Sequence, residues 1–425
     1  MTLETVFAME SSAITFGPGA TREIGDHVRT RGCRRVMLIT DPRLRDGPIV
    51  DAARTALDEA GVAYDIFDDV MVEPTDASFQ TAIAFATDCR FDGFVAVGGG
   101  SVIDTAKAAN LYSTWPADFL AYVTRPIGEG KAPPGPLKPF IAVPTTSGTG
   151  SETTGNAVLD FPELGTKSAI AHRYLRPALG VIDPDNVRDL PPMITACSGL
   201  DVLCHALESY TAVRFDQRPK PAQPHLRTPY QGSNPVADIW SREAIRIGAS
   251  CLVEAVNEPD AAQARGQMLL AATLAGIGFG NAGVHLPHAL SYPISRLSRG
   301  YFPPDYPADH SLVPHGMSVV LTAPAIFRWT ADASPEAHQE AAILLGAAPH
   351  EVGLDNAGDA IADRFTDMMK AIGMPNGLTG VGITEADLDA LVRGTMSQQR
   401  LLVISPKEPT ERDIRQLFAD SMTLW

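Results

Sequence analysis

Residues 94–110 read FVAVGGGSVIDTAKAAN. The apolar run Phe94–Val97 predicts a buried strand, and Val102–Asn110 predicts a helix. The turn between them consists of Gly98, Gly99, Gly100 and Ser101. Glycines allow a phosphate to approach the backbone, and a helix N-terminus offers free N–H groups to it. The spacing differs from GxGxxG, so a phosphate-binding turn and a plain helix-capping turn both remain open.

Short strands and helices alternate through the rest of the first half. The predicted strands are Arg35–Thr40, Val62–Phe67 and Pro139–Val143, and the predicted helices are Pro48–Gly61 and Ala77–Cys89. This alternation is typical of a parallel sheet with helices on both faces. Ligands of such sheets bind where the strands end. We therefore predict an α/β dinucleotide-binding domain over residues 1–190.

Beyond that boundary the long periodic segments are helical. The predicted helices cover about 193–212, 236–257, 260–279, 335–346, 355–373, 384–393 and 409–422. We predict an all-α second domain over residues 191–425. Two proline-rich segments, 214–235 and 299–314, interrupt it, and loops this long are usually functional or disordered.

Composition narrows the class of protein. A formal net charge of −16 disfavours nucleic acid and anionic membranes as partners. No apolar run reaches the roughly 18 residues of a membrane span, and the N-terminus lacks a targeting pattern. The five cysteines are an odd number without a CxxC motif, which favours reduced thiols. We predict a cytoplasmic protein.

Several polar residues are candidates for cofactor binding. A second turn, after the strand 139–143, offers Thr145, Thr146, Ser147, Thr149 and Ser151 to phosphate and ribose oxygens. Asp41, after RVMLIT, can bind ribose hydroxyls and would repel a 2′-phosphate, which favours NAD over NADP. An ordinary Asp-Pro turn is the alternative. Asp104 and Lys107 either face the same ligand or form an i,i+3 pair.

A candidate metal site begins in GLDVLCHALESY, where Asp201 and His205 share one helical face. Downstream, GVHLPHALSYP contributes His285 and His288, and VPHGMSVV contributes His315. One aspartate with three histidines suits Fe²⁺ or Zn²⁺. Each histidine alone is more often a packed core residue.

Two neighbours of His205 need separate interpretations. Cys204 is about 100° away around the helix, so it cannot point at the same ion, and we interpret it as core. Glu208, one turn further on, is a candidate for orienting an imidazole.

The motifs GGGSVIDTAK, PTTSGTGSE, GLDVLCHALESY, HALSYP and PHG occur in the order typical of the iron-containing (group III) alcohol dehydrogenases, which the whole chain resembles. The resemblance implies a dehydroquinate synthase-like architecture with NAD or NADP, one divalent metal (Fe²⁺ favoured, Zn²⁺ open) and a homodimer or larger assembly. It places the metal ligands on Asp201, His205, His288 and His315. It also matches Lys167, in GTKSAI, to a lysine near the cofactor.

The choice of His288 rests on a family pattern H-x-x-x-H-P. Taking His288 as the ligand aligns Pro293 with the family proline and puts Tyr292 where the second histidine usually stands. The proton-relay role of that position is then open, with Tyr292 and His285 as candidates.

The insertions narrow the branch, because the stretches YQGSNPVADIW, HLPHALSYPIS and PHGMSVVLTAPAIF, in and beside the two proline-rich segments, resemble the hydroxyacid–oxoacid transhydrogenases. That branch oxidises 4-hydroxybutyrate to succinate semialdehyde and passes the hydride, through bound nicotinamide, to 2-oxoglutarate. Carboxylate substrates need cationic partners. The candidates are Arg214, Arg218, Lys220, Arg227, Arg296 and Arg299. A dehydrogenase or aldehyde reductase using free NAD(P) is the nearest alternative. A dehydroquinate synthase-type lyase is more remote, because that enzyme usually has a glutamate at the position of Asp201.

Overall fold

The computed structural model describes residues 2–306 and 311–425. The chain divides into two compact units. The first is Glu10–Asp189, and the second combines the residues up to Met9 with Leu190–Trp425.

The strands of the first unit are, in chain order, β1 (Ala13–Phe16), β2 (Arg35–Ile39), β3 (Ala63–Phe67), β4 (Gly93–Gly98), β5 (Phe140–Pro144), β6 (Asn156–Phe161), β7 (Thr166–Ala171) and β8 (Leu179–Ile182). Six of them form one parallel sheet in the order β1-β8-β5-β4-β2-β3, and β6 and β7 form an antiparallel pair. The predicted parallel sheet is confirmed. Strands β1, β6, β7 and β8 were not predicted, because β1 and β8 have only four residues and β6–β7 lies outside the alternation of strands and helices.

Alternating residues of the central strands build two cores. Val36 and Leu38 of β2 pack on one face of the sheet, and Met37 and Ile39 pack on the other. Helices cover both faces, because each face of a parallel sheet must be buried. They are α1 (Ile24–Thr30), α2 (Pro48–Glu59), α3 (Asp76–Cys89), α4 (Gly100–Thr114) and α5 (Phe119–Tyr122).

Strand pairing brings the two predicted turns together. β4 pairs with β5 in a register that sets Gly98 opposite Pro144, the last residue of each strand. The glycine turn and the hydroxyl-rich turn therefore start side by side at one edge of the sheet.

The second unit is helical. Its helices are α6 (Pro192–Thr211), α7 (Pro235–Asn257), α8 (Ala262–Ala282), α9 (Leu286–Leu297), α10 (His315–Val320), α11 (Ala323–Thr330), α12 (Pro335–Leu344), α13 (Ala357–Ala371), α14 (Leu388–Met396), α15 (Gln399–Leu402) and α16 (Glu411–Asp420). The sequence analysis did not predict α9 and α11, which contain prolines. Pro324 is in the first turn, where no N–H is needed, but Pro293 lies inside α9.

The helices of this unit enclose one continuous apolar core, to which α6, α8 and α9 contribute. Among the described residues, no single helix is long and apolar enough to cross a membrane. Only α8 and α9 taken together meet that test of length and hydropathy, and they are bent by 105° relative to each other. Residues 307–310 of the second proline-rich segment lie outside the described residues.

The residues before Glu10 pack with the second unit, whereas the predicted first domain starts at residue 1. Leu3 forms a β-bridge with Pro219, and the Ala8 N–H donates to Gln231 Oε1 at 2.8 Å. The Glu4 carboxylate lies 2.9 Å from Arg227 Nε, with side chains only 8% and 18% exposed. These contacts tie the chain terminus to segment 214–235.

We expect the Glu4–Arg227 ion pair to stabilise the second unit in a pH-dependent manner. The hydrogen bond from Arg227 lowers the pKa of Glu4 from 4.5 to about 2. Because this pKa is depressed, the contribution is present above pH 4.5 and is lost as the pH falls towards 2. Glu4→Gln should lower the free energy of unfolding by on the order of 1–2 kcal/mol at pH 7.

The measurement is the unfolding midpoint of wild type and variant between pH 7 and pH 3, with exposed Glu258→Gln as the control. The difference between wild type and Glu4→Gln should shrink below pH 4.5. A difference that is constant with pH would contradict the ion-pair explanation.

Candidate metal centre and nucleotide-binding turns

Helix α6 carries three acidic or imidazole side chains on one face. Asp201, His205 and Glu208 are four and three residues apart, so they project in similar directions. Asp201 and Glu208 are 2% and 0% exposed. Buried carboxylates are costly unless they are paired or bind a cation, so each needs a partner.

Two further histidines converge on Asp201 from other helices. The Nε2 atoms of His205, His288 and His315 lie 3.9, 3.5 and 4.0 Å from Asp201 Oδ1. The His205 and His288 rings stack with centroids 4.5 Å apart. The structure thus brings together all four predicted ligands, and three of them, Asp201, His288 and His315, have ligand atoms within 4.8 Å of one another.

Gly316 explains how α10 delivers His315. A Cβ atom at this position would lie 2.0 Å from the Cys197 carbonyl oxygen and 2.9 Å from Asp201 Cβ. Only a glycine permits this close approach of α10 to α6. Gly316, which follows His315 in the PHG motif, therefore determines the position of the His315 imidazole.

Glu208 fixes the orientation of the His288 ring. Its Oε1 is 2.5 Å from His288 Nδ1, and its Oε2 accepts a hydrogen bond from the His285 backbone N–H. With Nδ1 bound to the carboxylate, Nε2 is the atom that faces Asp201. This is the arrangement in which a second carboxylate orients a metal-binding imidazole.

The titration of the cluster follows from its contacts. Burial alone would raise the pKa of Asp201, but His205, His315 and His288 hold it below its usual value. Burial opposes protonation of His288, yet the Glu208 carboxylate raises the pKa of His288 to about 10. The cluster thus attracts positive charge, which a proton or a metal ion can supply.

The donor atoms fit a divalent transition ion. Asp201 Oδ1 and His288 Nε2 are buried and have no hydrogen-bond partner in the described part of the chain. Buried polar atoms are normally satisfied, and a cation would satisfy both. Carboxylate and imidazole donors suit Fe²⁺ or Zn²⁺.

The other predicted residues nearby have different surroundings. His285 Nε2 lies 3.2 Å from Thr211 Oγ1, and burial lowers the pKa of His285 well below its usual value, so the ring is neutral. Tyr292, one turn after His288, accepts a hydrogen bond from Arg400 at 2.7 Å. Cys204 is buried, and burial raises the pKa of its thiol well above the usual value, as expected of an inert core cysteine.

In the first unit, the two candidate nucleotide-binding turns touch through glycines. A Cβ atom on Gly100 would lie 2.6 Å from the Thr149 side chain, and one on Gly99 would lie 3.3 Å from Thr146. The Thr145 N–H donates to the Gly98 carbonyl at 3.1 Å. Helix α4 begins at Gly100, so its free N–H groups open onto the turn.

Asp104 and Ser151 belong to a buried network around Lys107, which is fully buried. Lys107 Nζ lies 2.5 Å from Ser151 Oγ, 3.2 Å from Asp104 Oδ1 and 2.6 Å from the Asn156 carbonyl oxygen. Asp104 Oδ2 accepts the Val158 N–H. These contacts explain the side chains of Asp104 and Ser151 without a ligand. Asp104 and Lys107 form the i,i+3 pair that was one of the two alternatives, but the pair lies inside the protein and not on its surface.

Two other cofactor candidates are also bound within the protein. Asp41 Oδ1 accepts the backbone N–H groups of Arg43 and Leu44, which forms the expected turn. Lys167 Nζ lies 3.0 Å from Glu73 Oε2, and the Glu73 N–H donates to Ser101 Oγ. Glu73 therefore links Lys167 to the glycine turn. The remaining hydroxyl candidate, Ser147, is buried.

The basic residues of the proline-rich segments are mostly engaged nearby. Arg214 pairs with Asp216, Arg218 donates to the Tyr230 carbonyl, and Arg299 lies 3.2 Å from Asp387. Lys220 is exposed, and Arg296 lies one turn beyond Tyr292 on α9.

Two residues near the candidate sites, Glu73 and Arg400, were not predicted from the sequence. They contact Lys167 and Tyr292 across 94 and 108 residues. Neither lies in a motif, so no local signal marks them.

The chain is similar to known proteins along almost its whole length. The family model described as iron-containing alcohol dehydrogenase matches residues 11–184, and the model of its C-terminal part matches residues 230–422. Hydroxyacid-oxoacid transhydrogenase, mitochondrial, from Bos taurus is 49% identical over 426 residues, covering 100% of this chain and 91% of that protein. The Homo sapiens protein of the same name gives the same identity and coverage.

Solved structures with the same fold include 1,3-propanediol oxidoreductase, with 28% identity and a TM-score of 0.86, covering 98% of this chain and 100% of that one. Sulfoacetaldehyde reductase from Bifidobacterium kashiwanohense, solved in complex with NAD+, has 27% identity and a TM-score of 0.80, with 98% of each chain covered. The transhydrogenase relatives are named mitochondrial, whereas a cytoplasmic location is predicted for this chain.

We expect the Lys107 network to be essential for the stability of the first unit. Lys107→Met leaves the Asp104 carboxylate, whose side chain is only 13% exposed, without its cation, which should cost about 3 kcal/mol of unfolding free energy. Denaturant titration measures this loss. The control is Lys131→Met, because Lys131 is 60% exposed in its pair with Glu129 and should change stability by less than about 1 kcal/mol. Equal losses in both variants would rule out a special role for Lys107.

Proposed function

The chain belongs to the iron-containing alcohol dehydrogenase family and is an oxidoreductase acting on CH–OH groups; on this premise we propose that it is a hydroxyacid–oxoacid transhydrogenase. The proposed reaction converts 4-hydroxybutyrate and 2-oxoglutarate into succinate semialdehyde and 2-hydroxyglutarate. Two electrons and two hydrogens leave the first substrate and reach the second. Identity of 49% over the whole chain carries the proposal.

We assign the metal ligands to Asp201, His205, His288 and His315. The assignment is supported by the three Nε2 atoms near Asp201 Oδ1 and by the unsatisfied buried atoms of Asp201 and His288. His285 is the alternative to His288, but its Nε2 lies near Thr211. Fe²⁺ is favoured by the family, and Zn²⁺ fits the same donors.

We assign the nicotinamide cofactor, NAD rather than NADP, to the first unit. The glycine turn 98–101, with the hydroxyls of Thr146 and Thr149 beside it, suits the diphosphate, and Asp41 suits a ribose. A divalent ion supplies Lewis acidity to the substrate oxygen when bound, and nicotinamide supplies the hydride acceptor and donor. Lys167 lies near the turn through Glu73, so we keep it among the candidates.

The protein's own side chains orient the reacting groups. Glu208 holds His288 in the tautomer with Nε2 towards Asp201. Tyr292 Oη accepts from Arg400, which leaves the phenolic O–H available to donate to a substrate oxygen. Tyr292 and the neutral, buried His285 both remain candidates for proton transfer.

The second candidate is a dehydrogenase or reductase that uses free cofactor, which the resemblance to 1,3-propanediol oxidoreductase favours. A lyase of the dehydroquinate synthase type is disfavoured by Asp201. A cytoplasmic location and a homo-oligomeric state remain predictions.

We expect the purified protein to form 2-hydroxyglutarate from 4-hydroxybutyrate and 2-oxoglutarate without added cofactor. Mass spectrometry of the products measures this. Omitting 4-hydroxybutyrate is the control, because no hydride donor is then present. If simple alcohols instead reduce added NAD⁺ and no 2-hydroxyglutarate forms, the second candidate is correct.

We expect Asp201→Ala, His205→Ala and His288→Ala to lose bound metal, because each removes one ligand of the proposed set. His285→Ala is the matched control and should retain the ion. Glu208→Gln should weaken binding roughly 10- to 100-fold, since the His288 ring loses its carboxylate partner. Elemental analysis after dialysis measures metal content, and circular dichroism checks folding. Retention by His288→Ala together with loss by His285→Ala would reverse the assignment.

A further inference from the structure

Arg400 on α15 is a half-buried guanidinium beside the proposed active site. Its Nη2 donates to Tyr292 Oη at 2.7 Å, and its guanidinium carbon lies 5.9 Å from the centre of the Tyr292 ring. No carboxylate pairs with it among the residues that the structure describes. A guanidinium has five N–H donors, so this cation has charge and hydrogen-bonding capacity left for a ligand.

A second phenol, that of Tyr230, also interacts with this cation. Burial raises the pKa of Tyr230, and Arg400 opposes that rise through its charge and a hydrogen bond. The Tyr230 ring packs against Gly283, where a Cβ atom would lie 3.0 Å from the ring. The Tyr230 carbonyl accepts from Arg218 at 2.6 Å and from Thr228 at 2.8 Å. Segment 214–235 thus places Tyr230 beside Arg400, and Arg218 of the same segment holds the Tyr230 backbone through its carbonyl.

The location relative to the metal cluster fits a short substrate. Tyr292 follows His288 by one turn of α9, a rise of about 5.4 Å. A four-carbon hydroxyacid places its carboxylate roughly 5–6 Å from its hydroxyl oxygen by bond lengths. Glu208 also lies near Tyr230, but its two oxygens are bound to His288 and the His285 N–H.

We propose that Arg400, flanked by Tyr230 and Tyr292, forms a binding site for the carboxylate of the hydroxyacid and oxoacid substrates, an inference that rests on the proposed function. The guanidinium offers planar N–H donors that match a carboxylate, and the phenols fix its position and limit water. This site selects acids over neutral alcohols of the same length.

The test compares Arg400→Gln, Arg400→Lys and Arg393→Gln, an exposed control on α14. The enzyme is used as purified, with its metal. For the 4-hydroxybutyrate reaction, Arg400→Gln should raise KM roughly 100-fold with kcat changed about threefold or less, since it removes a charge-assisted hydrogen bond. Arg400→Lys should raise KM about tenfold, because it keeps the charge but not the fork. Arg393→Gln should match wild type.

Calorimetry with glutarate, a non-reacting dicarboxylate, gives a readout independent of turnover. Wild type should bind glutarate and not the neutral glutaramide, and Arg400→Gln should lose glutarate binding. A variant that loses turnover with 4-hydroxybutyrate and with neutral butane-1,4-diol by the same factor, or that still binds glutarate as wild type does, would overturn the proposal.

The two proposals fail separately. If wild type forms no 2-hydroxyglutarate but binds glutarate through Arg400, only the proposed reaction is wrong. If Arg400→Gln does not fold, the KM and glutarate affinity of Arg400→Lys decide, and wild-type values there would exclude the carboxylate site.

Discussion

The structure of the second unit is organised around one buried carboxylate. Asp201 sits inside the helical core, where an isolated charge is costly. Three imidazole nitrogens from α6, α9 and α10 lie within 4.0 Å of one of its oxygens. Gly316 lets α10 approach α6 closely, and Glu208 fixes the orientation of the His288 ring on α9. A cluster that attracts positive charge at the centre of an apolar core is well suited to hold a metal ion.

The first unit contains a similar buried charge with a different outcome. Lys107 is also completely buried, but Asp104, Ser151 and backbone oxygen surround it, so its hydrogen-bonding capacity is used within the protein. This network holds α4 against the β6–β7 hairpin and so fixes the glycine turn from which α4 begins. The buried Lys107 network is structural, whereas the buried Asp201 cluster is available to a ligand. The difference lies in whether protein donors and acceptors satisfy the buried atoms.

The proposed reaction and the proposed carboxylate site together assign a role to the Asp201 cluster and to Arg400. In these proposals the metal cluster binds the oxygen on the reacting carbon of the substrate. Arg400 and its two tyrosines bind the carboxylate of the substrate, about one helical turn away. An enzyme that exchanges hydride between two acids needs both. The basic residues of the proline-rich segments were reasonable candidates for the second role, but Arg214, Arg218 and Arg299 bind partners in the protein.

The sequence by itself determined the parallel sheet and pointed to the three histidines that converge around Asp201. These features can be read from short stretches of the sequence: the strand and helix periodicity, the glycine turn and the order of the motifs. The family pattern H-x-x-x-H-P, matched at Pro293, selected His288 over His285. Only the tertiary structure decided how these residues are used. It attached the N-terminal residues to the second unit, buried Lys107 with Asp104, and brought Arg400 to Tyr292 across 108 residues. The physical reason is that pairing between distant side chains depends on helix packing and desolvation, which no short stretch of sequence encodes.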